Sequence, residues 1–364
     1  LKIKEIIGHL ESHAPIATQE SYDNSGLLCG NAQQEIEGIL ISLDCTEAIV
    51  DEAIQKKCNL IISHHPIVFK GLKSLTGKNY VERTVIKAIK NDIAIYAIHT
   101  NLDNYRFGVN HKIGQLLGLK NLRILEPKRD NQVKIVVFVP LANADELRGA
   151  MSEAGAGHIG NYDSCSFSSA GIGNFRAQAG AKPFVGNIDE LHSENEIRLE
   201  MICRNEKINA VVQAIQNVHP YEEVAIDIIP LKNQDPYQGA GMFGELETPI
   251  SSIEFLQKVK DIFKCGVIRH TELCKTSISR VAFCGGSGSF LLNQAKASGA
   301  DVFITGDYKY HEFFDAENQI IIADIGHYES EQFTSELIAD LLKEKNITFA
   351  VRFADTNTNP VKYF

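Results

Sequence analysis

His64 and His65 stand together in CNLIISHHPIVFKG, at the end of an apolar run. Imidazole serves both as a ligand for divalent transition ions and as a proton carrier near neutral pH. Adjacent side chains on a regular strand face opposite ways, so the pair serves one site only where the backbone leaves the sheet. Pro66 favours that exit by holding His65 extended and blocking helix there. A second pair of donors, His99 and Asp103, follows the apolar run IAIYAIHT in HTNLDN. A third follows IIIAD in DIGHYESEQF, where a helix starting near Tyr328 sets His327 and Glu331 at i and i+4, facing one point.

Taken singly, each has an ordinary explanation: idle loop histidines, a turn or N-cap aspartate, a first-turn glutamate complementing the helix dipole. Together, His64, His65, Asp103, His327 and Glu331 are nitrogen and oxygen donors without sulfur, too many for one tetrahedral ion. Such a set suits two divalent ions (Zn, Fe or Mn) bridged by a carboxylate. His99, an imidazole four residues before Asp103, is the candidate catalytic proton carrier.

Two further stretches carry weaker signals. FCGGSGSF reads as a strand entering a Gly-rich turn, and Gly285, Gly286 and Gly288 either expose amides to an anion or simply permit the turn. The run lacks GxGxxG and the P-loop lysine, so as a nucleotide signature it is weak. ITGDYKYHEFFDA adds Thr305, Asp307 and His311 after another strand, as pocket candidates or as plain surface residues.

Donors at strand ends need a sheet whose strands finish together. The first part of the chain alternates helical and strand patterns (KIKEIIGHLES, GILISLD, TEAIVDEAIQKK, NLIIS, VERTVIKAIK, IAIYAIHT, HKIGQLLG), as does the last (VAFCGG, FLLNQAKASG, DVFITGD, IIIADIG, a long helix SEQFTSELIADLLKEK, and ITFAVRF). This is the grammar of an α/β architecture, in which the carboxyl ends of the strands form the crevice. Between about Gln132 and Leu231 the pattern becomes βαββαβ, with a Gly-rich excursion. The expectation is a discontinuous, two-lobed α/β main domain over residues 1–127 and 241–364, interrupted by a ferredoxin-like α+β domain over 128–240.

The 364 residues and 44% hydrophobic content allow more than one core. A net charge of -10 disfavours nucleic acid and anionic membrane as partners and leaves small molecules, metals or protein chains. The eight cysteines are scattered without CxxC, as buried thiols of a reducing cytoplasm would be, and no signal or membrane-spanning run interrupts the pattern.

YDNSGLLCG, ISHHPIVFKGLKSL, HTNLDNYRFGVN, FCGGSGSFLL, DVFITGDYKYH, DIGHYESE and TNTNPVKYF, in this order, resemble the Nif-three-like family, homologues of GTP cyclohydrolase 1 type 2. The resemblance implies a dinuclear centre on the same five residues, with Tyr22 standing where the family usually has Trp. The middle segment, ending in HPYEEVAIDIIPL, is similar to CutA and PII-like modules, and this likeness implies a ring-shaped homohexamer. His219, Tyr221, Glu222 and Glu223 read better as the entry to its last strand than as a site. The family name implies a metal-dependent hydrolase whose water attacks the purine carbon between the two imidazole nitrogens of a nucleotide. The alternative is a non-enzymatic, metal-handling or regulatory oligomer, and turnover separates the two.

Overall fold

Gly38–Ser42, Leu60–Ser63 and Ala94–Ala97 are buried along their whole length, as strands covered on both faces must be, and their runs of Ile, Leu and Ala supply the apolar surface. In the computed structural model, which describes residues 1–345 and 347–364, they lie at the centre of a five-stranded sheet. Its spatial order is Gly26–Cys29, Ala94–Ala97, Leu60–Ser63, Gly38–Ser42, Ala350–Phe353, with only Gly26–Cys29 antiparallel to its neighbour. The register pairs Ser42 with Ser63 and Ser63 with Ala97, so the three central strands finish level. The residues that follow them therefore emerge at one edge.

The chain divides into two compact units, Leu1–Pro127 with Pro236–Phe364, and Lys128–Asp235. The first unit holds a second sheet, ordered Arg269–His270, Ile321–Asp324, Val302–Gly306, Ser277–Ser287, Gly239–Ser251, Lys120–Pro127. Its three inner strands from Ser277 to Asp324 run parallel, and the others are antiparallel. One apolar core joins both sheets through Ile39, Ile62 and Tyr96 on one side and Phe283, Ile304 and Ala323 on the other. Helix starts follow ordinary capping chemistry: Thr46 accepts from the Ile49 amide before Glu47–Gln55, and Asn79 from the Glu82 amide before Tyr80–Lys90.

Three expectations need correction. Residues 236–240 pack with the first unit, where Gly239 N donates to Asn104 O and Gln238 bridges Tyr105. The stretch after His327 is two helices, His327–Glu331 and Thr334–Lys343, because Glu331 turns inward among polar donors while Ile338, Leu341 and Leu342 bury in the core. The strand Gly239–Ser251 and helix Ser252–Phe263 were not anticipated, since the strand's glycines, Pro249 and a register shift between Glu245 and Ile250 blur its period.

The second unit runs strand Gln132–Pro140, helix Ala144–Glu153, strands Ser166–Arg176 and Leu191–Arg204, helix Ile208–Val218 and strand Ile226–Leu231. Its antiparallel sheet is ordered Ser166–Arg176, Leu191–Arg204, Gln132–Pro140, Ile226–Leu231. Val137, Leu147, Met151, Leu199, Val211 and Ile215 form its own core. Among the described residues no helix is long and apolar enough to cross a membrane.

Candidate metal centre

Three connections in the first unit deliver the donors. Leaving Leu60–Ser63, the His64 and His65 amides still donate to Ser42 O (3.2 Å) and Leu43 O (2.9 Å), and Ser63 Oγ donates to the His65 carbonyl (2.9 Å). That tie turns the chain off the sheet and lets neighbouring rings share a site. His99 precedes a single helical turn, Thr100–Asp103, which brings the Asp103 carboxylate back toward His64. Gly326, at φ 92°, supplies the left-handed step into His327–Glu331 that an L side chain would resist.

Glu331, 3% exposed, sits between two groups of donors. Its Oε1 is 3.8 Å from His64 Nε2, and its Oε2 is 3.0 Å from His65 Nε2 and 3.1 Å from His327 Nε2. Asp103 Oδ1 lies 3.6 Å from His64 Nε2, and the His65 and His327 Nε2 atoms are 3.3 Å apart. Each imidazole is oriented through its other nitrogen: His64 Nδ1 to the Ile98 carbonyl (2.8 Å), His65 Nδ1 to Asp44 (2.8 Å), His327 Nδ1 to Asp307 (2.7 Å). An outer acceptor that fixes the ring and aims the second nitrogen inward is the usual support of a metal-binding histidine.

The residues fit a metal on a direct observation. His64 Nε2 and Asp103 Oδ1 are buried without a hydrogen-bond partner. Leaving such groups unpaired costs roughly 1–3 kcal/mol each, which a cation between them would offset. Donor atoms of His64, Asp103 and Glu331 lie within 4.8 Å of one another, as do those of His65, His327 and Glu331, and those of His64, His65 and His99.

The charges are arranged around Glu331. Burial alone would push its carboxyl up, but His327, His64 and His65 hold it well below the carboxylate range. Burial likewise opposes charge on His65, yet Asp44 and Glu331 raise it to about 9; Glu331 and Asp307 raise His327 to about 11 against the same penalty. Asp103 moves the other way, to about 7, because burial and the Glu331 charge both disfavour its anion.

His99 lies at the rim, its ring 5.2 Å from that of His64 and 5.3 Å from that of His65. Its Nδ1 bonds Asp23 (2.8 Å), which also accepts from the Thr100 amide (3.0 Å) and hydroxyl (2.5 Å) and from Ser25 Oγ (3.0 Å). Burial opposes the Asp23 anion, but the bond from His99 and those from Thr100 and Asn24 hold its pKa far below the usual range.

Asp307 reaches the centre through His327, whereas Thr305 and His311 do not supply donors. Thr305 is buried, with its hydroxyl between the Gly288 amide and the Gly286 carbonyl, and His311 packs against Tyr310 and Phe314. The Gly-rich turn is no anion cradle: Gly285 N donates to Asn110, Gly286 N to Ser330 and Gly288 N to Thr305. Its glycines serve close approach instead, since a Cβ on Gly286 (φ 61°) would collide with the Glu331 carboxylate. In the second unit, His219 bonds the Phe138 carbonyl and the Tyr221 amide, and Tyr221 bonds Glu196. Sequence reasoning missed Asp44 and gave Asp23 no role, although Asp44 closes the run GILISLD just past the strand Gly38–Ser42, much as the histidines follow theirs.

The model of the family Duf34/NIF3 (NGG1p interacting factor 3) matches residues 1–360. The GTP cyclohydrolase 1 type 2 homolog of Bacillus subtilis (strain 168) is 36% identical over 365 residues, covering 99% of this chain and 98% of that protein. The one from Staphylococcus aureus (strain Mu50) is 36% identical over 368 residues, covering 100% of both. Among solved structures, a Bacillus cereus protein related to NIF3 superposes with a TM-score of 0.86 at 36% identity, covering 100% of this chain and 99% of that one. Staphylococcus aureus protein SA1388 gives 0.79 at 32%, with the same coverage.

Proposed function

The chain belongs to the Duf34/NIF3 family, and from that membership we propose that it is a metal-dependent hydrolase with a dinuclear centre, acting on a nucleotide-type small molecule. The observation that carries the reading is the pair of orphaned buried atoms, His64 Nε2 and Asp103 Oδ1, beside a Glu331 carboxylate with one oxygen toward each donor group. His64 and Asp103 would hold one ion, His65 and His327 the other, with Glu331 bridging. The ions' contribution, when bound, is Lewis-acid polarisation of the scissile bond and activation of water.

The chain's own residues do the rest. Asp44 and Asp307 keep two imidazoles aimed inward, and the Ile98 carbonyl does the same for His64. His99 is the proposed proton carrier: Asp23 fixes its Nδ1, which leaves Nε2 to accept a proton from the attacking water and return it to the leaving nitrogen. The relatives' name directs the substrate search to purine nucleotides.

The middle unit is proposed as a CutA/PII-like insert that assembles the chain into a homohexamer. Its exposed Phe167, Ile172 and Leu191 supply apolar surface for such contacts. The cysteines are all free, in keeping with a cytoplasmic location.

The test is metal analysis together with a turnover screen. Two equivalents of Zn, Mn or Fe per chain that are lost in Glu331→Ala, and hydrolysis of GTP or a related nucleotide that is lost in His64→Ala, support the reading. Two bound ions with no turnover of any nucleotide, phosphodiester or cyclic amide would leave a metal-handling or regulatory protein in its place. Light scattering on the full chain reads the assembly, and a concentration-independent monomer rejects the hexamer.

A further inference from the structure

Outside the centre, one other group among the described residues of the first unit meets ligand geometry. His9, His13 and Glu344 each place a donor atom within 4.8 Å of the other two. His9 and His13 are at i and i+4 of the helix Ile3–His13, half-buried beside the face that carries the buried Ile3, Ile6 and Leu10. Their rings meet edge-on with centroids 5.2 Å apart. Glu344 caps the end of a different helix, Thr334–Lys343, and its Oε2 lies 3.3 Å from His13 Nε2.

Two features go beyond a chance surface cluster. His9 Nε2 is 2.8 Å from the Leu341 carbonyl, and a carbonyl only accepts, so Nε2 carries the ring proton and the lone pair sits on Nδ1. That is the outer support which the histidines of the main centre receive from Ile98, Asp44 and Asp307. The three donors also come from two elements that pack together, so an ion there joins the first helix to the end of the last, an arrangement absent from the unfolded chain.

We propose that His9, His13 and Glu344 form a further metal site, separate from the Glu331 centre, for a borderline divalent ion of the zinc type. Two imidazoles and a carboxylate are a donor set that zinc takes, with the fourth position left to water. The His13 side chain is 21% exposed and that of Glu344 58%, so the ion enters from solvent without rearrangement of the core. Bound zinc replaces a proton-dependent His13–Glu344 pair with a link that does not need His13 protonated.

The experiment is zinc titration of the full chain carrying Glu331→Ala, with and without His13→Ala, followed by equilibrium dialysis and thermal melts. The expected result is that one equivalent survives Glu331→Ala, raises the melting temperature, and disappears with His13→Ala. Glu344→Gln, at an exposed position, reads the same site should His13→Ala disturb the helix, and is expected to weaken zinc binding at least about tenfold, the loss that follows when even a supporting group is removed. Equal zinc content and equal melting shifts with and without His13→Ala and Glu344→Gln overturn the proposal. Failure of the main-centre reading looks different: wild type and Glu331→Ala then bind the same amount of zinc, while the His13→Ala difference still reports on this site.

Discussion

The two halves of the candidate centre share Glu331 but are built differently. On one side His64 is fully buried, its outer nitrogen rests on a backbone carbonyl, and it and Asp103 each leave a polar atom unpaired. On the other, His65 and His327 have side chains 21% and 36% exposed, and each is held between two carboxylates. The exposed half satisfies itself with protons, since Asp44 and Glu331 keep His65 charged to about pH 9 and Glu331 and Asp307 keep His327 charged to about 11, both against burial. The buried half has no carboxylate on each side of its imidazole, and a cation between His64 Nε2 and Asp103 Oδ1 would satisfy both atoms. It should therefore be the tighter of the two sites.

The largest effect should come from removing what the halves share. Glu331→Ala is expected to abolish both main-centre ions together, read by metal analysis. Loss of one ion with retention of the other would break the bridging reading. Gly286→Ala should act nearly as strongly with the fold intact, because its Cβ collides with the Glu331 carboxylate at a positive φ. Normal metal content in that variant would show that the carboxylate can move away.

Asp103→Asn tests the asymmetry itself. It should release the tighter ion and leave the weaker one on His65 and His327, visible in a zinc titration as one equivalent more than Glu331→Ala retains. Asp44→Asn and Asp307→Asn should do the reverse at smaller scale, weakening the exposed half by about 10–100-fold through loss of ring orientation. Equal losses at both ions from Asp44→Asn would mean that the halves are not independent.

The smallest effect concerns a tether present only on the exposed half. Thr358 Oγ1 donates to Asp44 Oδ2 (2.6 Å), and the segment leading to it is anchored where the Asp355 and Thr356 amides donate to Glu52 (2.6 and 3.0 Å). Burial opposes the Glu52 anion, but Lys56 and those tail contacts lower its pKa from 4.5 to about 2. A depressed carboxyl stabilises the folded state above its unfolded value and loses that contribution on protonation. Protection of the Asp355 and Thr356 amides should thus be full above pH 4.5 and fall as the pH drops toward about 2. Unchanged exchange across that window would detach the tether from Glu52.

Much of the candidate site was legible because its potential donors follow apolar runs. His64 and His65 after NLIIS, Asp103 after IAIYAIHT, and His327 and Glu331 after IIIAD obey the rule that strand ends converge. Asp44 obeys it too and was passed over, since a lone aspartate after a strand is indistinguishable from a turn residue until His65 Nδ1 is found 2.8 Å away. The Gly-rich turn shows the opposite failure. Its composition permits an anion cradle, and only the partners of its amides, Asn110, Ser330 and Thr305, exclude one.

Sequence alone determined the alternation of buried strands and capped helices, the change of pattern in the middle segment, and the types of donor available. These are local properties, written in periodicity, capping residues and spacing. Tertiary structure decided which nitrogen of each histidine faces inward, that Glu331 presents one oxygen to each half, that His327–Glu331 ends before the core helix begins, and that His9 and His13 meet Glu344. Those outcomes depend on the register that makes Ser42, Ser63 and Ala97 level and on the packing of two sheets about one core, relations between residues tens to hundreds apart that no local pattern encodes.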